Sequence, residues 1–569
     1  MKRTIAILVF TFLFSGIYAQ QKEAYISPKG YSHVMSDEEK ELSKNFPKDF
    51  QETAPPTGDV RNIAEWEQME SVIIAYDYGF GIPYSLIAEI CEDSHATILV
   101  SGSTEENSVR TLLSNNGVNT DNCSFVYNDP DAWWTRDYSP WCIAVDNQDV
   151  SIVDFPYNRP SRVNDDAVPS VIAAELGIDY YGMNVTHTGG NYMTDGYGIS
   201  VSTDLVYDEN SLSSTQIATK MHDYLGISTY HVVADPQGDY IKHVDCWGKF
   251  LAVDKIVITE VRESDSRYDD YEATAAYFEN HNCAYGYPYQ VYRVKAYDNY
   301  NLDMNPYTNS LILNEKVFVP ITGSSWDDNA LAVYEEAMPG YEIIGVMEGS
   351  ASWYNTDALH CRTHGFADRN MLFIKHYPIY GTFTTTDDFE VTAEVYSYAG
   401  NDMATGFPTL NYKINDSTYH SIEMTETSSN HYSATIPWYT GNNTISYYIE
   451  AEDITGKTAS VPTMKEQDPF VFYTTHEIVN NPFITKEDDV KIYPNPNRGR
   501  FYLQLNLEET QNVEINILSI NGQIIYSDNV LVNSGSEPVL LNIENISTGV
   551  YILNSKTESK TSSTKLIIR

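Results

Sequence analysis

The sequence predicts an α/β domain followed by two all-β domains. Between residues 61 and 377, short apolar runs alternate with helical patterns, which is typical of α/β architecture. Polar motifs recur through the same region at a spacing of roughly 50 residues, which indicates a repeated structural unit. Beyond residue 378 the helical patterns end, and short strands with period-two alternation replace them.

Composition limits the classes of ligand. The 569 residues include 35 Lys and Arg against 79 Asp and Glu, giving a net charge of −44. Such an acidic chain is a poor binder of nucleic acid or of an anionic membrane, because phosphate groups need a cationic surface. With 42% hydrophobic and 13% aromatic residues, packed cores are expected rather than disorder. The acidity suits a cationic ligand such as arginine or an amine.

The N-terminus has the pattern of a secretory signal peptide. Lys2 and Arg3 precede the apolar run 5–14, and small residues follow up to Ala19. Residues 1–19 are therefore predicted to be a signal peptide. No other stretch approaches the roughly 20 apolar residues that a spanning helix needs, so no membrane span is predicted. Residues 20–60 are polar and contain proline, and are interpreted as a propeptide or N-terminal arm.

The α/β region supplies the candidate regular elements. Apolar runs at 71–76 and 96–100 predict strands. Helices are predicted over 83–91, 108–115, 213–225, 272–281 and 329–338. The recurring polar motifs lie at 133–137, 188–191, 242–245, 307–310 and 359–364. Together they predict ββαβ-like units around an axis, with the polar motifs meeting at the centre.

The remaining chain predicts two β domains. Strands at 389–395 and 445–451, with turn signals between them, favour an immunoglobulin-type sandwich over 378–475. A linker is predicted over 476–489. The last domain, 490–569, contains Asn521-Gly522 between two apolar runs, which is a strong hairpin signal.

The cysteines show no metal-binding pattern. No two form a C-x-x-C pair, so a zinc site is not expected. Most are expected to be buried small hydrophobic residues. The six are Cys91, Cys123, Cys142, Cys246, Cys283 and Cys361.

Cys361, His243, Asp245 and Asp137 form a candidate chemical constellation. His243 and Asp245 are two residues apart, which in a strand places both on one face. A cysteine nucleophile needs its thiolate stabilised, often by a nearby His. Two carboxylates in an enclosed pocket suit a planar guanidinium. These parts favour attack of a thiolate on a guanidinium carbon.

The motifs resemble a known family. Segment 66–70, segment 131–141 with Trp133-Trp134-Thr135-Arg136-Asp137, and the four later polar motifs occur in the order found in bacterial peptidylarginine deiminases and agmatine deiminases. These belong to the guanidine-modifying pentein superfamily, and the resemblance covers residues 61–377. It implies a five-bladed α/β propeller, with neither a metal nor an organic cofactor.

The resemblance also implies roles for individual residues. Cys361 would be the nucleophile and His243 the general acid and base. Asp137 and Asp245 would hold the guanidinium nitrogens, and Asn309 would orient the site. Trp134 would pack on the arginine stem. His360 and His364, which flank the nucleophile, are expected to be structural or supporting residues.

Further positions bear on the substrate. Agmatine deiminases usually carry a Gly-rich run before the nucleophile, whereas this chain has Thr356-Asp357-Ala358-Leu359. This favours the peptidylarginine branch, as does Asp239-Tyr240-Ile241. The loop with Arg159 and Arg162 resembles one whose arginines grip a C-terminal carboxylate. The substrate-binding candidates are Trp134, Arg159, Arg162, Tyr240, Ile241 and Thr356.

The tail carries a second resemblance. Residues 490–569, with Tyr493-Pro494-Asn495-Pro496 and Gly549-Val550-Tyr551, are similar to a type A sorting domain of the type IX secretion system. This implies recognition by the secretion machinery and export through the periplasm and outer membrane, to the bacterial surface or the medium.

The leading hypothesis is a secreted cysteine-dependent deiminase that converts peptide-bound arginine, C-terminal arginine included, into citrulline and ammonia. Its partners would be arginine-containing peptides or proteins. One alternative is agmatine deiminase, with the same site and a small amine substrate. Another is a non-catalytic surface binding protein, in which the β-sandwich makes the contacts.

Overall fold

The computed structural model describes residues 26–569 except 28, 46–49, 239–240, 298–303, 476–489, 506, 508, 520–522, 536–537, 544–545 and 558–560. The predicted signal peptide, the predicted linker and the Asn521-Gly522 turn lie outside the described residues. The chain divides into two compact units, with the boundary after Thr475. In the part of the chain that is described, no helix has the length and apolarity needed to cross a membrane.

The helices lie in the first unit. Their bounds are α1 Asp37–Asn45, α2 Tyr84–Asp93, α3 Ser103–Asn115, α4 Thr135–Tyr138, α5 Val163–Asp166, α6 Val168–Leu176, α7 Leu205–Asp208, α8 Ser214–Leu225, α9 Tyr268–Glu279 and α10 Asp327–Ala337.

Strands β1 to β17 form five sheets with those helices. Their bounds are β1 Val60–Asn62, β2 Met69–Ala75, β3 His95–Val100, β4 Cys123–Tyr127, β5 Trp141–Val145, β6 Asp149–Asp154, β7 Tyr180–Gly182, β8 Met193–Thr194, β9 Ile199–Thr203, β10 Thr229–Val233, β11 Gly248–Phe250, β12 Lys255–Glu260, β13 Gln290–Lys295, β14 Leu311–Leu313, β15 Lys316–Ile321, β16 Glu342–Met347 and β17 His364–Ala367.

The five sheets repeat one connection pattern. Each contains an antiparallel pair and then a parallel strand that is reached through a helix. The antiparallel pairs are β17·β2, β5·β6, β8·β9, β11·β12 and β14·β15. The parallel partners are β3, β7, β10, β13 and β16. None of these sheets closes on itself within the described residues, and the five-bladed propeller stays a prediction.

Each predicted polar motif lies in one turn directly before the first strand of a unit. These turns are α4 before β5, Gly189–Asn191 before β8, Val244–Cys246 before β11, residues 307–310 before β14, and His360–Arg362 before β17. Since the five units share their topology, the turns occupy equivalent positions. The repeat therefore brings polar residues from five distant parts of the sequence to corresponding ends of the strands.

The rest of the first unit is all β. Its strands are β18 Leu372–Lys375, β19 Thr382–Phe383, β20 Phe389–Ser397, β21 Thr409–Ile414, β22 His420–Glu423, β23 Thr425–Ser428, β24 His431–Ile436, β25 Asn443–Glu452, β26 Thr458–Val461 and β27 Phe470–Thr474. Two sheets, β18-β20-β24-β23 and one built on β25, share a core that includes Val391, Leu410 and Phe472. Alternating burial along β20 matches the period-two pattern.

The second unit is also all β. Its strands are β28 Val490–Tyr493, β29 Arg500–Leu505, β30 Gln511–Ser519, β31 Ile524–Val532, β32 Val539–Asn542, β33 Gly549–Lys556 and β34 Thr561–Ile568. They form the sheets β28-β29-β32 and β31-β30-β33-β34. Strands β30 and β31 pair antiparallel, as the hairpin signal predicts.

Candidate active site

Asn309 fixes the turn that carries Cys361. Its side-chain Oδ1 accepts the backbone N–H groups of His360 and Cys361, at 2.9 and 3.2 Å. Its Nδ2 lies 3.2 Å from Cys361 Sγ and 3.5 Å from the Asp245 carbonyl oxygen. One amide thus ties together the turns of three units. This geometry agrees with the orienting role expected for Asn309.

The Cys361 thiol is enclosed among oxygen atoms. Its Sγ lies 3.7 Å from Asp245 Oδ2 and 4.0 Å from the Thr356 carbonyl oxygen. Only 2% of the residue is exposed. Burial raises the pKa of the thiol well above its usual value, and the charges of Asp245, Asp357 and Asp137 raise it further. In the free protein the sulfur is therefore held as a neutral thiol at neutral pH.

His243 and Asp137 form the second part of the site. His243 Nδ1 lies 3.6 Å from Asp137 Oδ1, and both residues are buried. Asp137 Oδ1 and both ring nitrogens of His243 have no hydrogen-bond partner among the described residues. Buried polar atoms without partners are costly, so these three atoms are suited to a ligand that supplies donors and acceptors.

Gly190 makes room beside this pair. A Cβ at this position would stand 2.5 Å from His243 Nδ1 and 2.8 Å from Asp137 Oδ1. No L-residue with a side chain fits there unless those groups move. Sequence reasoning quoted the Gly189-Gly190 motif but did not single out Gly190 as a site residue. The Gly-Gly pair was the available signal.

Asp245 is held by His360, which sequence reasoning treated as a supporting residue. His360 Nδ1 lies 2.7 Å from Asp245 Oδ2, and His360 Nε2 lies 2.7 Å from Glu65 Oε2. The His360 ring thus bridges two carboxylates that come from different parts of the chain. Burial alone would raise the pKa of Asp245. The His360 hydrogen bond and the positive charges of His360, His243 and Arg136 hold that pKa below its usual value.

Glu65 is the second carboxylate partner of His360, and the sequence analysis did not single it out. Lys249 Nζ lies 2.7 Å from Glu65 Oε1, and an Arg136 terminal nitrogen lies 2.9 Å from Oε2. Burial opposes the charge of Glu65, but Lys249, His360 and Arg136 outweigh it and keep the pKa of Glu65 well below its usual value. Glu65 directly precedes the Trp66 motif, which was the nearest available signal.

The substrate-binding candidates occupy several positions. Trp134 is buried, and the Arg162 guanidinium carbon lies 5.1 Å from the centroid of its ring. Thr356 contributes its carbonyl oxygen to the surroundings of the thiol. Arg159 is buried and donates to Asn158 Oδ1 at 2.9 Å. Ile241 is buried as well, and Tyr240 lies outside the described residues.

Contacts join Cys361 to Asp245 and Asn309, and His243 to Asp137. The charge of Asp137 acts on the Cys361 thiol and that of His243 on Asp245, so the five residues form one buried cluster. Arg162 and Trp134 form a neighbouring group. Within the described ranges, no group of three or more His, Cys, Asp or Glu side chains is arranged to hold a metal ion.

Two family models match the chain. The model for the Porphyromonas-type peptidyl-arginine deiminase matches residues 62–366, which is more than half of the sequence. The model for a secretion-system C-terminal sorting domain matches residues 491–569. The first match contains all five members of the buried cluster.

Individual proteins are similar to the same region. A candidate agmatine deiminase of Mycoplasma capricolum is 25% identical over 297 residues, which cover 45% of this chain and 79% of that protein. A solved structure from Porphyromonas gingivalis, described as a candidate arginine deiminase, is 21% identical with a TM-score of 0.46, covering 54% of this chain and 98% of that one. The agmatine deiminase of Enterococcus faecalis is 18% identical with a TM-score of 0.47, covering 56% and 100%.

The two family matches determine how the chain is classified. The deiminase family consists of hydrolases that act on guanidino groups. The sorting domain is the type IX secretion signal, which directs a protein to the cell surface or the medium. The chain therefore belongs to the Porphyromonas-type peptidyl-arginine deiminase family and carries a C-terminal sorting domain for export.

Proposed function

We propose that this protein is an exported cysteine-dependent deiminase that hydrolyses the guanidinium of peptide-bound arginine, C-terminal arginine included, to citrulline and ammonia. The observation that carries the proposal is the buried cluster, in which Cys361 Sγ lies 3.7 Å from Asp245 and His243 lies 3.6 Å from Asp137. Asp137 Oδ1 and both His243 nitrogens lack partners among the described residues. A guanidinium offers five N–H donors in one plane, and Asp137 and Asp245 supply carboxylate acceptors.

Substrate binding prepares the nucleophile. Burial and the negative charges of Asp245, Asp357 and Asp137 raise the pKa of the Cys361 thiol in the free protein. A guanidinium bound between Asp245 and Asp137 compensates their charges and lowers the pKa of the thiol. The thiolate therefore forms where its electrophile already lies, and a buried thiol without substrate stays unreactive.

The reaction then proceeds in two displacements. Cys361 passes its proton to His243, its Sγ attacks the central guanidinium carbon, and the bond from that carbon to a terminal nitrogen breaks. His243 protonates this nitrogen, which leaves as ammonia, while the carbon stays bound to sulfur as an amidino-thioether. His243 then takes a proton from water, the water oxygen attacks the same carbon, and Sγ leaves. The products are citrulline and regenerated Cys361.

Peptide-bound arginine is the proposed substrate for two reasons. Arg162 supplies a cationic group beside Trp134, where a peptide carboxylate would bind, whereas agmatine has no carboxylate. The sorting domain also directs the enzyme out of the cell. Agmatine deiminase is the second candidate, because curated relatives such as the Mycoplasma capricolum protein carry that name.

We further propose the finer organisation. Residues 61–377 form a five-bladed propeller, 378–475 an immunoglobulin-like sandwich and 490–569 the sorting domain. Residues 1–19 are a signal peptide, 20–60 a propeptide or arm and 476–489 a linker. Strand β18, Leu372–Lys375, pairs with β20 of the sandwich although it lies before position 378.

A purely binding role would leave the buried Cys361 cluster without a use, so catalysis is the preferred assignment.

A substrate panel tests the proposal. The purified protein is offered a peptide ending in arginine, a peptide with internal arginine, and agmatine, and ammonia and citrulline or carbamoylputrescine are measured. Turnover of peptide arginine is expected. Turnover of agmatine alone would replace the proposal with the second candidate, and turnover of none would favour a binding protein.

Replacing His360 with glutamine should shift the pH profile. The pKa of Asp245 is depressed in the folded protein, so its charge is lost as the pH falls through that pKa. Without the hydrogen bond from His360 the pKa of Asp245 rises, although Arg136 and Lys249 stay nearby. The acidic limb of kcat/KM should move to higher pH by about one unit. The measurement is the rate of citrulline formation against pH.

His364→Gln is the matched control, because His364 Nε2 hydrogen-bonds the Pro140 carbonyl oxygen instead of a carboxylate. The His364→Gln variant should leave the acidic limb of the kcat/KM profile unchanged. If His360→Gln does not fold, His360→Asn removes the same imidazole from Asp245 and should move the limb in the same direction. A folded variant of either kind with an unmoved limb would contradict the prediction.

Replacing Asp137 with asparagine should make the Cys361 thiol more acidic while reducing turnover. The substitution removes one of the charges that raise the pKa of the thiol. The pH midpoint for alkylation of Cys361 by iodoacetamide should fall by up to about one unit. Peptide mass spectrometry gives the alkylation rate at this cysteine. Asp149→Asn, on the exposed start of β6, is the control and should match the unmodified protein. An unchanged midpoint in Asp137→Asn would contradict the electrostatic account.

A further inference from the structure

An N-terminal segment, residues 29–45, contacts the substrate-binding candidates Trp134, Arg162 and Thr356; we call it the N-terminal arm. Its helix α1 begins after Ser36, whose Oγ accepts the Glu39 N–H at 3.1 Å, and Glu39 Oε2 accepts the Ser36 N–H at 3.0 Å. This reciprocal capping box follows from the Ser-x-x-Glu spacing. It fixes the side chain of Glu39 and leaves Oε1 directed away from its own helix.

The second carboxylate oxygen of Glu39, Oε1, forms an ion pair with Arg162. Glu39 Oε1 lies 3.2 Å from Arg162 Nε and accepts the Ser161 hydroxyl at 2.8 Å. A terminal nitrogen of Arg162 donates to the Ser32 carbonyl oxygen, and its guanidinium carbon lies 5.4 Å from the ring centroid of Tyr31. Arg162 is 1% exposed and Glu39 6% exposed. This is a buried ion pair between the arm and the deiminase domain.

The arm also reaches the surroundings of the nucleophile. His33 Nε2 lies 3.3 Å from Thr356 Oγ1, and the carbonyl oxygen of that threonine lies 4.0 Å from Cys361 Sγ. The His33 ring lies 6.2 Å from the ring of Trp134, centroid to centroid. At its start the arm is held by the ion pair of Lys29 with Asp129, at 2.6 Å. The arm therefore contacts the deiminase domain at Asp129, at Trp134 and at Thr356, the residue beside the thiol.

We infer that the surface formed by Trp134, Arg162 and Thr356 binds the chain's own N-terminal arm, with the Glu39 carboxylate in the place of a substrate carboxylate on Arg162. This inference rests on the proposed function and deepens it. The arm and a peptide ending in arginine compete for the Arg162 guanidinium and for the ring of Trp134. A peptide can enter only when the arm is displaced or removed.

The energetics favour such competition. Removing one partner of a buried ion pair leaves the other charge buried without compensation, which is costly. Arg162 therefore exchanges Glu39 for another carboxylate more readily than it stays unpaired. The apparent affinity for peptide is reduced by the fraction of molecules in which the arm is open.

The test compares Glu39→Gln with Glu38→Gln in the full chain. Glu38 lies on the same helix turn and is exposed, so its replacement is a matched control. For a peptide ending in arginine with a free carboxylate, KM should fall by about tenfold in Glu39→Gln and stay unchanged in Glu38→Gln. The same peptide with a C-terminal amide should gain much less, because it brings no carboxylate to Arg162.

Three outcomes are distinguishable. A folded Glu39→Gln variant with unchanged or higher KM overturns the inference about the arm while turnover persists. Equal gains for the free carboxylate and the amide overturn the part that places a substrate carboxylate on Arg162. Failure of every variant and of the unmodified protein to release ammonia overturns the proposed function instead.

If the Glu39→Gln variant does not fold, a second measurement tests the inference. The recognition sequence of a specific protease is placed between Ala54 and Pro55, which are both exposed. The full chain is folded first, and then it is cut and diluted. The rate of citrulline formation should rise as the arm dissociates. A complete cut without a rise would contradict the inference.

Discussion

Replacing Cys361 with serine should reduce kcat for arginine deimination by a factor on the order of 10⁴ or more. A serine hydroxyl is a far weaker acid than a thiol, and the carboxylates around this position oppose a further negative charge. The oxygen therefore stays protonated even with a guanidinium bound, and no covalent intermediate forms. Ammonia release by the purified variant gives the measurement, and its melting temperature reports the fold.

Cys283→Ser is the control for this substitution. Cys283 is also buried, but it lies in the core around β12 and α9, outside the Cys361 cluster. This variant should retain turnover, although a buried hydroxyl can lower its stability. Turnover by Cys361→Ser at more than a small fraction of the normal rate would remove Cys361 as the nucleophile.

Replacing Gly190 with alanine should reduce kcat/KM by about 10²-fold, because a shift of about 1 Å at the reacting groups is enough for such a loss. The added methyl group would stand 2.5 Å from His243 Nδ1, so the imidazole or the Asp137 carboxylate must move. Both groups act directly on the substrate in the proposed reaction. The backbone of Gly190 has no positive φ, so the effect is steric and not conformational.

Gly79→Ala is the control, since no atom lies within 4 Å of the Cβ that it would add. Steady-state rates of citrulline formation and thermal unfolding are compared for both variants. Normal kcat/KM in Gly190→Ala would mean that the His243 and Asp137 positions are not critical, and it would contradict the assigned roles of both residues.

Local signals predicted the helices to different degrees. The predicted helix 213–225 agrees with α8, because the capping box of Ser213 and Gln216 is local to the sequence. Helix α3 begins at Ser103, five residues before the predicted start. Its first turn, residues 103–106, contains only polar side chains, so the apolar periodicity could not reveal it.

The repeated unit was visible in the sequence, but its long-range partners were not. Polar motifs spaced along the chain predicted ββαβ units, and each motif does precede the first strand of a unit. His360 and Glu65 are 295 residues apart, and Glu39 and Arg162 are 123 apart. No local pattern links such pairs. Family resemblance predicted Cys361 as the nucleophile, with Asp137 and Asp245 as its acidic neighbours, but not the His360 bridge or the arm contact.

The start of the β-sandwich also depends on long-range pairing that no local sequence pattern reveals. Strand β18 belongs by its pairing to the sheet of β20, although it lies before position 378. Its residues form a short apolar run that would suit either domain. Only the pairing, which joins residues 19 to 25 positions apart, decides between them.

The most direct test of the account is the detection of a covalent intermediate on Cys361. The enzyme is mixed with a peptide ending in arginine and quenched in acid at intervals from milliseconds to seconds, and the protein mass is then measured. The account predicts an adduct with the mass of the peptide less one ammonia, located on Cys361 by fragmentation. Citrulline formation with the adduct on another residue, or with no adduct on Cys361 at any time, would contradict it.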